Sequence, residues 1–249
     1  MDFNIRKPAH ILALLMILVS IFVILILPIL SYVQVLPSTQ SQEYQNIAEN
    51  LELISEIFIL IFQLIISLVL FILIPIFWYM LVNNKKFKQA LIKMRLKFEN
   101  IDRAFLWAIL AVIAMYSISF VIVAILEASG TDVSDLSNIP DIEQIFSPSV
   151  IFLLIAIMPI AEEIFFRGFL LDKINDYAGK NVAIFSTAFL FGIAHFSYGK
   201  IYPVIFPMIM GVLLAYIVFK TKNLFASIIA HIIYNVVVFM LYILAKSLI

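Results

Sequence analysis

Long apolar runs alternate with short polar stretches from one end of the chain to the other. Residues 11–33 are apolar throughout, residues 57–82 form a second run, and residues 104–126 a third. Each reaches the roughly 20 residues that an α-helix needs to cross a bilayer. Residues 150–174, 181–198, 202–219 and 224–244 supply four more runs. The pattern predicts an all-α, polytopic transmembrane helical bundle of about seven spans. A signal peptide is the competing reading of the first run. Its apolar core is too long for that, and no small-residue cleavage site follows cleanly. Pro75 predicts a kink in the second span, because proline leaves a carbonyl one turn back without its donor. Small residues recur at Ala188 and Gly192, and again at Gly211 and Ala215, a spacing that lets helix backbones approach closely.

Composition sharpens this picture. Of 249 residues, 64% are hydrophobic and 13% charged, against about 25% charged in ordinary soluble domains. The formal net charge is zero, so no basic face recruits nucleic acid. There is no cysteine, which excludes disulfides, thiolate ligands and a cysteine nucleophile. The charges are segregated. Residues 83–103 carry Lys85, Lys86, Lys88, Lys93, Arg95, Lys97 and Arg103 between apolar residues. This stretch reads either as an amphipathic helix on the membrane surface or as a plain cytoplasmic loop. Residues 34–56 and 127–149 are acidic and free of Lys and Arg. The positive-inside rule then places the N-terminus in the cytoplasm, and only Lys200 and Lys246 fall outside. Residues 1–149 are expected to form N-terminal transmembrane helices with the basic segment 83–103, and residues 150–249 a second transmembrane unit. The expected setting is an integral, multi-pass protein of a prokaryotic cell membrane.

Against this apolar background, Glu162, Glu163 and Arg167 stand out in the fourth run. Ionisable groups at membrane depth are costly and mark functional sites. Glu163 and Arg167 are four residues apart with the acid first, so they pair on one helix face; Glu162 points about 100° away. Counting about 1.5 Å per residue from the helix ends brings His195, His231 and Asn235 to roughly the same layer. His231 and Asn235 share a face, with Ser227 one turn earlier. A carboxylate in a low-dielectric pocket becomes a usable general base near neutral pH. A neighbouring imidazole can share the proton or orient the water, and a second His with an Asn offers donors to a developing oxyanion. This layout suits peptide hydrolysis without a Ser or Cys nucleophile. The signatures His-Glu-x-x-His, Gly-x-Ser-Gly and Gly-x-Gly-Asp are missing. Phe191 reads as packing. A non-enzymatic membrane regulator and a proton relay or transporter are the competing functions, the latter disfavoured by the lack of an inverted repeat.

Glu162-Glu163-x-x-x-Arg167, Phe191-x-x-x-His195 and His231-x-x-x-Asn235, in that order, resemble the three motifs of the type II CAAX prenyl endopeptidase and bacteriocin-processing family of intramembrane proteases. The resemblance covers residues 150–244. It implies an intramembrane endopeptidase that hydrolyses a peptide bond with glutamate-activated water. Glu162 would be the base and His195 its assistant, Glu163 and Arg167 supporting or structural, and His231 and Asn235 the oxyanion holders. The same fold also serves as a bacteriocin self-immunity protein or membrane regulator. The family is labelled metalloprotease and is also described without metal; two His and a Glu would suit a divalent ion such as zinc, and a metal-independent mechanism is preferred. The implied partners are a peptide or protein substrate, lipidated in the eukaryotic branch, and the bilayer.

Overall fold

A computed structural model of the chain describes residues 3–26, 45–130, 136–196 and 202–248. The end of the first predicted span (27–33), Asp132, Asp135, Tyr198 and Lys200 lie outside the described residues. Helix α1 is Pro8–Ile21, continued by a π-helical turn, Phe22–Ile26. Helix α2 comprises Gln45–Ser67, a π-helical turn at Leu68–Leu73, and Ile74–Leu81. Helix α3 is Phe87–Lys93, α4 Ile101–Ala128 and α5 Ile139–Ile142. Helix α6 comprises Pro148–Glu163, a π-helical turn at Ile164–Leu170, and Leu171–Ala178. Helices α7 (Lys180–Ile193), α8 (Tyr202–Thr221) and α9 (Phe225–Ser247) complete the chain.

Among the described residues six helices are long and apolar enough to cross a membrane, and α7 is a shorter apolar helix. The molecule is an integral, multi-pass helical bundle. The fifth predicted span, residues 181–198, is therefore shorter in the structure. At about 1.5 Å per residue, the 14 residues of α7 reach about 21 Å, short of the roughly 30 Å hydrocarbon core. His195, just past its end, thus lies at membrane depth. The predicted irregularity at Pro75 is present as the π-helical turn that precedes it. Pro75 cannot donate to the carbonyl of Phe71, and the wider turn absorbs the missing bond.

The basic stretch resolves into the seven-residue helix α3 flanked by loop, rather than one long surface helix. Ala90 and Met94 are fully buried, so the stretch is docked on the bundle. The Asn223 side-chain amide donates to the carbonyls of Lys97 and Glu99, both at 3.0 Å. The Leu224 N–H donates to the Arg95 carbonyl, also at 3.0 Å. Buried Asp172 accepts from the Tyr79 hydroxyl at 2.8 Å and pairs with Lys93 at 3.2 Å. These bonds tie the ends of α2, α6 and α8 and the start of α9 together at one end of the bundle. At the other end, Glu56 accepts from the Ser147 N–H at the start of α6. There Glu143 also accepts from Tyr242 at 2.6 Å and Lys246 at 2.8 Å. The Lys246 and Tyr242 donors hold the Glu143 carboxyl below the usual carboxylate range. The tie is fully present above the unfolded value and is lost as pH falls through the depressed folded one. The thermal midpoint in detergent is therefore expected to fall more between pH 6 and pH 3 in the wild type than in Glu143→Gln.

The expected small-residue crossing lies between α7 and α8. A Cβ on Gly192 would sit 2.7 Å from the Val204 carbonyl oxygen and 2.9 Å from Met208 Cβ; one on Gly211 would sit 2.9 Å from Ala188 Cα. Both neighbours include backbone, which cannot yield without moving a helix. Gly192→Ala is expected to cost about 1–3 kcal/mol, as overpacking does, read as a lowered thermal midpoint. Helix α4 turns Ala104, Ala108, Ala111 and Met115 toward Met210, Leu214, Ala226 and Ala230 of α8 and α9. Its opposite face is apolar and exposed, with Phe120 75% accessible, as a lipid-facing surface requires.

Candidate active site

The site is built on α6. Pro159, inside the helix, offers no N–H to the carbonyl one turn back, and five residues later the backbone widens into the π-helical turn Ile164–Leu170. Such turns recur at functional sites. Here the widened turn carries Arg167 back over Glu163. Arg167 Nη1 donates to Glu163 Oε1 at 2.8 Å, with both side chains inaccessible. The pairing predicted from spacing is thus present, and the same oxygen also receives a donor from another helix. His231 Nδ1 lies 3.0 Å from Glu163 Oε1. A carboxylate only accepts, so Nδ1 carries the proton and Nε2 is the basic nitrogen of the neutral ring. That Nε2 lies 3.9 Å from Glu162 Oε2. The distance exceeds a hydrogen bond but lies within reach of a water bonded to both.

The depth estimate holds for this pair. Asp172, tied to Tyr79 at the bundle end, is nine residues after Glu163; Leu224, tied to Arg95, is seven before His231. These separations correspond to about 13 Å and 10 Å of helix. His195 follows α7, and its Nδ1 donates to the Phe191 carbonyl at 2.8 Å. That bond folds the ring back by one turn, toward the layer of Glu162, which acts on it electrostatically, as do His231 and Arg167. Asn235 is half-buried one turn beyond His231 on α9. Among the described residues its side chain makes no hydrogen bond.

Spacing along the chain pairs His231 with Asn235, whereas the structure directs His231 to Glu163 and Glu162. Phe191 is more than packing. Its ring lies 4.1 Å from the Arg167 guanidinium carbon and edge-on to His195 (4.6 Å) and His231 (5.6 Å). An aromatic face beside a desolvated guanidinium stabilises its charge. The one sequence signal for this hub was the place of Phe191 a turn before His195. Ser227, fully buried a turn before His231, donates to the Leu224 carbonyl at 3.1 Å. Glu163 Oε2 and Arg167 Nε and Nη2 are buried with no protein partner.

The divalent metal that the family label raises finds no donor set here. Among the described residues no three His, Asp or Glu side chains converge as ligands. The Nδ1 atoms of both site histidines are engaged by Phe191 and Glu163, which leaves Nε2 as the open nitrogen of each ring.

Two carboxylates, two imidazoles and a guanidinium gathered between membrane-spanning helices define the class: a polytopic membrane protein with a buried acid–imidazole centre. Residues 144–237, which hold all of these groups, match the family model described as Type II CAAX prenyl endopeptidase Rce1-like. The match bears out the resemblance drawn from the three motifs. Among curated proteins and among solved structures no match is found.

Proposed function

We propose that the protein is an intramembrane endopeptidase in which Glu162 activates a water molecule. The observation that carries this reading is the 3.9 Å approach of Glu162 to a His231 ring that Glu163 fixes from its other side. In the forward step Glu162 takes a proton from water as the water oxygen attacks the scissile carbonyl carbon. The carbonyl oxygen becomes an oxyanion. Asn235 offers it an amide N–H. His231, held through Nδ1–H by Glu163, keeps its basic Nε2 toward Glu162 and the attacking water. The proton held by Glu162 then passes to the amide nitrogen, the C–N bond breaks as the oxyanion closes to a carbonyl, and a carboxylic acid and an amine leave, the acid giving its remaining proton to water. His195, anchored on Phe191, orients the water or shares its proton. Glu163 Oε2 and Arg167 Nε and Nη2 supply anchors for buried water beside the reacting groups.

The substrate is a peptide or protein segment that enters from the membrane; prenylation of that segment is the family's precedent. The N-terminus and the basic end of the bundle face the cytoplasm on the charge distribution. The test is cleavage of a membrane-anchored reporter peptide by purified protein and by Glu162→Gln. Loss of cleavage in a folded variant supports the reading. Unchanged cleavage by Glu162→Gln overturns it, and full phenotypic complementation by a Glu162→Gln/His195→Ala double variant would favour the regulator or immunity reading.

A further inference from the structure

The end of the bundle that carries α3 holds a second cluster that the peptidase reading does not use. An open cavity of about 490 Å³ is lined by Lys85, Gln89, Ile92, Lys93, Arg95 and Asp172. Three of these side chains are cationic and one is anionic. Asp172 is already engaged by the Tyr79 hydroxyl, by Lys93 and, at 3.8 Å, by Lys173. Lys85 and Arg95 form no ion pair among the described residues. Arg95 lines the cavity with its guanidinium carbon 5.1 Å from the Phe219 ring centroid, and a guanidinium has five donors and matches phosphate geometry. The backbone shapes the cavity around it. Arg95 has φ +64°, a conformation that L-residues other than Asn and Asp seldom adopt. It is held there by the bond from Leu224 to its carbonyl.

We propose that this cavity binds the phosphate of an anionic phospholipid headgroup. Its depth fits, because it lies just past the ends of α2 (Leu81) and α6 (Ala178), at the level of the membrane interface. The apolar surroundings favour a lipid over free phosphate. Ile92 lines the cavity and is half-exposed, and Phe87, half-exposed, projects from the same short helix. Trp78 and Tyr79 lie at the inner end of α2 just beneath, as interfacial aromatics do. Arg95 and Lys85 would hold the phosphate oxygens while Ile92 and Phe87 meet the upper acyl chain.

The test is native mass spectrometry of the full chain in detergent. It is titrated with phosphatidylglycerol, with phosphatidylcholine of the same acyl chains, and with inorganic phosphate. One phosphatidylglycerol adduct is expected to persist where phosphatidylcholine is lost. Lys85→Gln and Arg95→Gln should each weaken it about five-fold, the scale of one basic residue at an anionic surface. Lys220→Gln, at the same end but packed over Trp107, should leave it unchanged. Lys85 is exposed, so its variant decides the matter if Arg95→Gln lowers the thermal midpoint too far to use. Equal retention of both lipids, an unaltered adduct in Lys85→Gln, or displacement of the lipid by millimolar phosphate would overturn the assignment.

Discussion

Arg167→Met is expected to lower stability by roughly 3–5 kcal/mol, the cost of leaving one member of a buried ion pair uncompensated. Arg167 and Glu163 are both inaccessible, so bulk water does not replace the lost partner. The loss extends beyond one bond. Glu163 Oε1 receives both Arg167 and His231, and Phe191 loses the cation against its face. The double variant Glu163→Gln/Arg167→Met removes both charges, and buried pairs replaced together by neutral groups are often near neutral. It is expected to recover most of the loss in thermal midpoint while remaining inactive, because His231 no longer has a carboxylate to fix its ring. A double variant as unstable as Arg167→Met would show that shape, rather than charge, dominates the site.

Glu162→Gln is expected to reduce turnover by about 10²–10⁴-fold, the contribution of a positioned general base, with little change in thermal midpoint. The contrast with its neighbour follows from geometry. Glu162 keeps 18% side-chain exposure and its nearest ionic contact is at 3.9 Å, so glutamine replaces it without stranding a buried charge. Glu163→Gln, by contrast, is expected to destabilise, because Arg167 stays behind. Reporter cleavage and thermal unfolding measured on the two variants therefore separate the reacting carboxylate from the supporting one. A Glu162→Gln protein that cleaves normally, or that unfolds as readily as Glu163→Gln, would contradict this division.

Much of the architecture was legible because a bilayer imposes length on apolar runs. The Glu163–Arg167 bridge was legible too, since four-residue spacing on a helix is a local matter. The small residues at Ala188, Gly192 and Gly211 announced a close crossing that the structure places between α7 and α8. What spacing could not give was contact between helices. His231 was grouped with Asn235 because they share a face, yet its bond is to Glu163, 68 residues earlier. Nor could periodicity reveal the π-helical turn after Glu163, which is a choice of backbone hydrogen bonds rather than of side-chain pattern. The true extent of α7 was hidden because residues 181–198 stay apolar past the point where the helix stops. The basic stretch left helix and loop both open because its alternation of charge and apolarity served two needs: Ala90 and Met94 pack inward while Phe87 and Ile92 stay outside.

The alanine face of α4 has a consequence for how the molecule is assembled. Its coverings, α8 and α9, leave the ribosome after it, because chains are made N-terminal end first. Tyr116 on α4 finds its acceptor, the Tyr234 carbonyl at 2.7 Å, only when α9 is in place. That same helix brings His231 to Glu163. Biosynthesis therefore closes the scaffold and completes the proposed reacting centre in one event, so a chain lacking α9 holds its acids without the His231 imidazole.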